Sequence, residues 1–248
     1  MSNGVTSAEG RFVWFEYASS DVAQAQGVFG ELFNWTAKPV PMPGGNYVMI
    51  AAADGRTIGG YLTPPKQTPA AWTPYMRVDN CADKAAHAEK LGGHVIQAPM
   101  AVGDFATMAV IADPHGGVFA LWQPSRTEEA PEPGLGHFRW SELMSKDPAA
   151  SARFYAELGG MSILQIERNG APYHVLRLGE EPRAGIVPIR GDLPHHWRPY
   201  VHVASIDTTL ARAEKLGGKI ASPPIQVPAG RVAVFVDAQG VATGVVQP

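Results

Sequence analysis

Residues 12–35 read FVWFEYASSDVAQAQGVFGELFNW, and residues 138–161 read FRWSELMSKDPAASARFYAELGGM. The matching positions lie at one constant offset of 126 residues: Trp14 and Trp140, Glu16 and Glu142, Asp21 and Asp147. A constant offset between similar stretches is typical of an internal duplication. We therefore expect two halves that fold in the same way.

Each copy predicts a strand followed by a helix. The alternating pattern at the start places Trp14 and Glu16 on one face of a half-buried strand and Phe15 on the other. Asp21 and its counterpart Asp147 then stand where a helix N-cap belongs, because a carboxylate there accepts the unpaired N–H groups of the first turn. Apolar residues after each aspartate recur at three- and four-residue spacing, which indicates a helix packed on a sheet.

Two domains of roughly 120 residues each follow from the 248-residue length and the offset. We expect a disordered N-terminus over residues 1–10, a first domain over 11–123 and a second over 137–248. Residues 124–136 are rich in Pro, Gly and Glu and lack an apolar period, which is typical of a surface linker.

Charge and cysteine content narrow the classes of partner. The 20 basic and 23 acidic side chains give a net charge of −3 without a long run of either sign, so neither nucleic acid nor an anionic membrane surface is expected. Cys81 is the single cysteine, which excludes an intrachain disulfide and favours a small core residue in a reducing compartment.

The first ten residues lack a signal-peptide pattern, and no apolar run is long enough to span a membrane. We expect a cytoplasmic protein that is a monomer or a homodimer.

The remaining chain predicts further strands and helices in the same order in both halves. A strand, a turn and a returning strand follow each opening helix, and Gly59 of the first returning strand matches Gly185 of the other half. The stretch WTPYMRVD from position 72 matches WRPYVHVA from position 197, now at an offset of 125. Helices are predicted over 82–91 and 207–216, each ending in Leu-Gly-Gly, where glycine stops a helix. Strands joined by the turns DPHGG and DAQGV complete each half.

These features together resemble the vicinal oxygen chelate superfamily, which includes glyoxalase I, the bleomycin-resistance proteins and the extradiol dioxygenases. The resemblance rests on four βαβββ modules, the helix-capping aspartates, the Leu-Gly-Gly stops and the D-P-x-G turn before a closing strand. The resemblance covers nearly all of the chain outside the first ten residues and the linker. The W-x-E-L motif, followed by the capping aspartate, is similar to the motif of tandem glyoxalase-like proteins. It implies an α+β fold with two glyoxalase-like domains, each a curved mixed sheet, or cup, with helices outside.

The family's metal ligands come from the opening and last strands of its modules. At those positions this sequence has other residues: Trp14, Thr73 and Ala120 in the first half, and Trp140, Arg198 and Gly244 in the second. A divalent site of this kind needs about four N or O donors. We therefore predict no metal cofactor. A divalent metal is expected only if ligands at other positions come together.

The predicted inner walls of the cups carry aromatic and charged side chains. By strand alternation they are Trp14, Glu16, Tyr75 and Arg77 in the first cup, and Trp140, Glu142, Arg198, Tyr200 and His202 in the second. Tyr173 or His174 joins the second wall, with the choice of face left open. Glu142 and His202 are the candidate catalytic acid–base pair; alternatively, Glu142–His202 and Glu16–Arg77 are charge pairs that stabilise the sheet. His195 and His196 either border the second cup or bind metal adventitiously.

Three functions remain open at this point. The first is a small-molecule-binding protein of the glyoxalase and bleomycin-resistance type with degenerate metal sites, which acts on or sequesters a carbonyl-bearing or aromatic metabolite, since aromatic walls suit a planar ligand. The second is a metal-dependent glyoxalase-like lyase or dioxygenase with ligands such as Glu16, Glu142, His174 or His202. The third is a structural or interaction protein with closed cups. Motifs for nucleotide binding, esterase or redox chemistry do not occur.

Overall fold

The computed structural model describes residues 9–42, 45–64, 68–126, 133–168 and 170–248. The first module contains β1 (Phe12–Ala18), α1 (Val22–Phe33), β2 (Thr36–Met42), β3 (Gly45–Ala51) and β4 (Thr57–Leu62). The second contains β5 (Ala71–Arg77), α2 (Cys81–Lys90), β6 (His94–Val102), β7 (Ala106–Ala112) and β8 (Val118–Pro124). The third contains β9 (Phe138–Ser145), α3 (Pro148–Gly159), β10 (Ser162–Arg168), β11 (Ala171–Leu178) and β12 (Glu181–Pro188). The fourth contains β13 (His196–His202), α4 (Ile206–Lys215), β14 (Lys219–Val227), β15 (Gly230–Val236) and β16 (Ala242–Gln247).

The strands form two eight-stranded mixed sheets. Their orders are β2-β3-β4-β1-β5-β8-β7-β6 and β10-β11-β12-β9-β13-β16-β15-β14. The opening strand of each module pairs in parallel with the module's last strand, and the other pairs within a module are antiparallel hairpins. The predicted α+β fold with four βαβββ modules is therefore confirmed. No helix in the described part of the chain has the length and apolar character needed to cross a membrane.

The chain clusters into two compact units that do not coincide with its two halves. The first unit comprises Met1–Val13, Tyr75–Glu132 and Glu142–Trp197, and the second comprises Trp14–Pro74, Pro133–Ser141 and Arg198–Pro248. Each sheet is built from one half of the chain, whereas each unit combines modules from both halves. The boundaries at 11–123 and 137–248 therefore stay a prediction, and residues 1–8 and 127–132 of the expected N-terminus and linker lie outside the described residues.

Each unit has its own core. In the first unit, α2 and α3 bury Ala85, Ala88 and Leu158 with the strands of modules two and three. The ammonium group of Lys84 donates to the Leu158 carbonyl at 2.7 Å and so satisfies an acceptor at the end of α3. In the second unit the core is aromatic, with close ring contacts among Tyr17, Phe29, Phe33, Trp35, Trp72 and Phe138.

The helix ends follow the expected chemistry. Asp147 accepts the Ala150 N–H at 2.9 Å, as Asp21 does for its own helix. Gly92, after α2, has the left-handed φ of 88° that a helix stop requires. Helix α2 begins one residue earlier than predicted because Asn80 caps it, which places Cys81 in the core. Burial raises the pKa of the Cys81 thiol to about 11, so a structural role fits.

The register of the sheets corrects one detail of the repeat. Glu16 pairs with Gly60, and Glu142 pairs with Gly185. The glycine that corresponds to Gly185 is therefore Gly60, and the match to Gly59 was wrong by one position. The second half is therefore one residue shorter in the hairpin between β11 and β12. The offset of 125 at position 197 had indicated a loss only after Gly185.

Candidate functional site

Glu142, Arg168 and Tyr173 form a compact polar group that we call the Glu142 cluster. Glu142 lies on β9 with 1% of its surface exposed, and its Oε1 accepts a hydrogen bond of 3.0 Å from the Tyr173 hydroxyl. Arg168, the last residue of β10, places Nη2 2.8 Å from the same oxygen. Its guanidinium group lies 4.0 Å from the centre of the Tyr173 ring. Two strands of one hairpin thus hold a buried carboxylate in a defined orientation.

An apolar wall continues from the Glu142 cluster. Met144, Tyr173 and Val187 form a buried apolar group, with Val175 and Ile189 packed against it. Met144 follows Glu142 by two residues on β9, and Val175 follows Tyr173 by two residues on β11, so strand alternation places each pair on one face. The arrangement places a polar group beside an apolar group, a combination that small-molecule sites also contain.

Trp14, Glu16 and Tyr47 form the corresponding group in the first module, which we call the Glu16 cluster. Trp14 Nε1 donates to the Tyr47 hydroxyl at 2.9 Å, and that hydroxyl bonds the buried Glu16. Burial, and then the charge of Glu16, raise the pKa of Tyr47 well above its usual value. Tyr47 therefore stays a neutral donor to the carboxylate. A Cβ atom at Gly60 would lie 2.0 Å from the Tyr47 hydroxyl, so the tyrosine needs glycine at that position.

Tyr47 and Arg168 were not predicted as site residues from the sequence. Tyr47 and Tyr173 lie at the same offset of 126 residues as the two glutamates, so the repeat contained a signal that would have identified Tyr47. Arg168 had no such signal, because the first half has Met42 at the matching position.

The two candidates on β11 lie on opposite faces of the sheet. Tyr173 shares the face of Glu142, whereas Leu176 and Ile186, on the other face, are core residues packed with α3. His174 alternates with Tyr173 and therefore points to the helix side. It is buried, its Nδ1 has no hydrogen-bond partner among the described residues, and burial lowers its pKa. The structure therefore brings Tyr173, but not His174, to the Glu142 cluster.

Tyr200 fills the space at one of the family's ligand positions. Tyr200 pairs with Gly244, and a Cβ atom there would lie 2.4 Å from the tyrosine ring. The hydroxyl of Tyr200 accepts a hydrogen bond of 2.9 Å from Arg198 Nη2. Tyr200 also packs in an apolar group with Val234 and Val246, against which Trp140 lies. Two of the predicted wall residues, Arg198 and Tyr200, therefore contact each other directly.

His202 has neighbours of its own at the start of β9. Its backbone N–H donates to the His137 carbonyl at 2.9 Å, and its ring Nδ1 is buried with no hydrogen-bond partner among the described residues. Burial, followed by the charge of Arg139, lowers its pKa. Glu142 bonds Tyr173 and Arg168 instead, so a joint acid–base role for Glu142 and His202 stays a prediction.

In the first half, Tyr75 is buried and its ring centre lies 5.9 Å from that of Trp122. It pairs with Ala120, which is fully buried at another of the family's ligand positions. Arg77 is half-buried, and its backbone bonds Gly10 and Arg11. Substrate binding by Tyr75 and Arg77 stays a prediction.

A second buried network surrounds Asp113, in the DPHGG turn. Asp113 Oδ2 accepts hydrogen bonds from Tyr155 at 2.9 Å and from His195 Nε2 at 2.8 Å. Its Oδ1 accepts the backbone N–H groups of His115 and Gly117. Burial alone would raise the pKa of Asp113, but the hydrogen bond and charge of His195, together with the two backbone N–H groups, outweigh burial and lower the pKa. With 2% of its side chain exposed, His195 is a core residue bonded to Asp113.

The described residues do not fit a divalent metal site. No three His, Cys, Asp or Glu side chains in that part of the chain come close enough to hold an ion. At the family's ligand positions lie the guanidinium of Arg198, the fully buried Ala120, and Gly244 beneath the Tyr200 ring. A cation and apolar groups there oppose metal binding, so no chemical step is assigned to a metal.

Comparison with known proteins gives one consistent result. Residues 134–244 match the model of the Glyoxalase/Bleomycin resistance protein/Dioxygenase superfamily. The chain is 31% identical to the anthracycline biosynthesis protein DnrV of Streptomyces peucetius, over 97% of this chain and 94% of that protein. It is 30% identical to the putative glyoxylase CFP32 of Mycobacterium bovis, over 95% and 94% of the two chains. The Mn(II)-bound glyoxalase of Novosphingobium aromaticivorans has the same fold, with a TM-score of 0.68 and 16% identity over 96% of this chain and 82% of that one.

Proposed function

Because the chain belongs to the glyoxalase/bleomycin resistance protein/dioxygenase superfamily, we propose that it binds a small planar metabolite at the Glu142 cluster without a metal ion. The observation that supports this most directly is a buried carboxylate held by Tyr173 and Arg168 beside an apolar wall. The Glu16 cluster is a second candidate site of the same type.

The chemistry of the wall favours a ligand with an aromatic body and a polar edge. Aliphatic side chains such as Met144, Val175 and Val187 suit the flat face of a ring system. A phenol or enol hydroxyl of the ligand can donate to the fixed carboxylate of Glu142, because charge-assisted hydrogen bonds are the stronger class. The name of the Streptomyces relative refers to anthracycline biosynthesis. Anthracyclines are planar polycyclic compounds, so that relationship agrees with an aromatic ligand.

Any turnover would then use the protein's own acid and base groups. Glu142 is the carboxylate that would accept a proton from a bound hydroxyl or from a carbon next to a carbonyl. Tyr173 orients it and donates to it in the resting state. Proton transfer by a positioned group commonly contributes roughly 10² to 10⁴ in rate.

Binding and stability measured together test this proposal. A dihydroxyanthraquinone would be titrated while tryptophan fluorescence is followed, and thermal unfolding would be recorded on the same samples. Glu142→Gln should weaken binding by about tenfold or more, equivalent to roughly 1.4 kcal/mol, while Glu31→Gln, on the exposed face of α1, should leave affinity unchanged. A large loss of stability in Glu142→Gln with unaltered affinity would show that the carboxylate only supports the sheet.

A metal-dependent lyase is the second candidate, because a putative glyoxylase covers nearly the whole chain. Isomerisation of a glutathione–methylglyoxal hemithioacetal, assayed with and without added Mn²⁺, separates the two. Turnover that requires the metal would favour the lyase and contradict metal-free binding.

A further inference from the structure

The two sheets end in four strands that have one neighbour each in the described structure: β2, β6, β10 and β14. Three of them contain proline: Pro39 and Pro41 in β2, Pro99 in β6, Pro223 and Pro224 in β14. Proline lacks an N–H group, so it protects a sheet edge from pairing with another strand. β10, with the sequence SILQIER, contains no proline.

β10 is paired as regularly as β2, and more regularly than β6 and β14. All seven of its residues pair with β11 without a register shift, whereas β6 and β14 each pair with shifts at two places. Its apolar residues Ile163, Leu164 and Ile166 are 40%, 42% and 41% exposed. A regular apolar edge with unpaired backbone groups is a template for another strand.

We propose that β10 pairs antiparallel with β10 of a second copy of this chain, so that the sheet continues through a two-fold axis at Gln165. A two-fold axis perpendicular to the sheet keeps corresponding faces on the same side. It sets Leu164 opposite the partner's Ile166 and joins the two Gln165 residues at the axis. Four apolar side chains then meet on the face that carries Tyr173, because Ile166 pairs with Tyr173 within the chain.

The charges of the strand fit this register. Glu167 lies opposite the partner's Ile163, and Arg168 lies opposite the partner's Ser162, so no like charges face each other. The same operation at the centre of β2 or β14 would place Pro39 or Pro223 at the axis, where the N–H group needed for pairing is missing. The self-complementary strand is therefore β10, and its partner is an identical strand.

The small size of this contact sets its strength. Two seven-residue strands bury less than the roughly 1,200 Å² of total surface at the lower limit of stable interfaces. We expect a reversible dimer that dissociates on dilution through the micromolar range. This contact uses the edge of the sheet and covers neither face, so it does not depend on the proposed ligand.

Sedimentation velocity of the full chain at concentrations from about 1 to 100 µM tests the contact in the range expected of a weak interface. Wild type should shift reversibly from monomer to dimer. Ile166→Lys should remain monomeric across this range, whereas Ile220→Lys should behave as wild type. Ile166 and Ile220 are both 41% exposed on end strands, which makes them a matched pair. A monomeric wild type, or a dimer that Ile166→Lys leaves intact, would overturn the proposal.

A charge exchange tests the register itself. Leu164→Lys and Ile166→Glu should each be monomeric alone, since each breaks the group of four apolar side chains beside the axis. An equimolar mixture should form a heterodimer, because the new charges are opposite in sign and face each other in the proposed register. Circular dichroism confirms that each variant is folded. Failure of the mixture to associate, or open-ended oligomers in wild type, would contradict a two-fold pairing at Gln165.

Discussion

Replacement of Arg168 by methionine, the residue found at the matching position of the first half, should destabilise the protein through Glu142. The Arg168 guanidinium lies 2.8 Å from a carboxylate whose side chain is 1% exposed, while its own side chain is 26% exposed. Arg168→Met therefore removes a cationic partner from a buried negative charge. The methionine preserves much of the apolar contact that the arginine stem makes, so the electrostatic loss dominates.

The expected cost follows from this burial. Loss of one partner of a fully buried ion pair costs about 3–5 kcal/mol. Arg168 is partly exposed, and the Tyr173 hydroxyl still donates to Glu142, so we expect a smaller loss of about 2 kcal/mol. For a chain of this length, that corresponds to a decrease in Tm of about 4 to 8 °C.

A double-mutant cycle tests the physical reason. Glu142→Gln in the Arg168→Met background removes the unpaired charge and should recover most of the lost stability, even though a second native residue has been replaced. Urea unfolding of wild type, both single variants and the double variant gives the coupling free energy. An Arg168→Met protein as stable as wild type, or a double variant that simply adds two losses, would contradict an unpaired buried charge as the cause.

Three further predictions concern other parts of the molecule. Elemental analysis after dialysis should find far less than one transition metal per chain, and a reproducible stoichiometric metal would favour the lyase. Asp113→Asn should destabilise the protein at pH 7 but not at acid pH. Because the pKa of Asp113 is lowered in the folded protein, its ionised carboxylate stabilises the fold above the pKa of about 4 that aspartate has in the unfolded chain, and this stabilisation is lost as the pH falls below that value. A Tm difference that does not change with pH would contradict this. The pKa values of His174 and His202 are lowered in the folded protein, so the unfolded chain takes up protons first and stability should decrease as the pH falls below about 6.5. Replacing both histidines with Gln should make stability depend less on pH in this range. An unchanged pH dependence would exclude these residues as its cause.

The repeat at an offset of 126 was sufficient to predict the fold because local signals agreed with one another. Asp21 and Asp147 predicted helix starts from the chemistry of their own first turns, and these short-range interactions persist in the structure. The hairpin register was less accessible. A shift of one residue in register moves every side chain of a strand to the opposite face. Gly59 and Gly60 are adjacent, so the sequence alone did not show which of them corresponds to Gly185.

Strand alternation alone identifies only part of the Glu142 cluster. It places Glu142 on a defined face of its strand, whereas the choice between Tyr173 and His174 required the pairing of β11 with its neighbours. Arg168 enters the Glu142 cluster from the end of β10, and no periodic pattern identifies such a position. The Asp113 network was missed for a related reason, since Tyr155 and His195 reach it from distant parts of the chain.

The occurrence of a buried glutamate in both halves bears on whether these clusters bind a ligand. A buried carboxylate is costly even when it is paired, and apolar replacements of buried ion pairs are often neutral or stabilising. The first and third modules each contain a glutamate that accepts from a tyrosine of the next hairpin, although their surroundings differ. Two internal copies that each contain a buried glutamate bonded to a tyrosine, in surroundings that otherwise differ, support the proposal that Glu16 and Glu142 are binding groups.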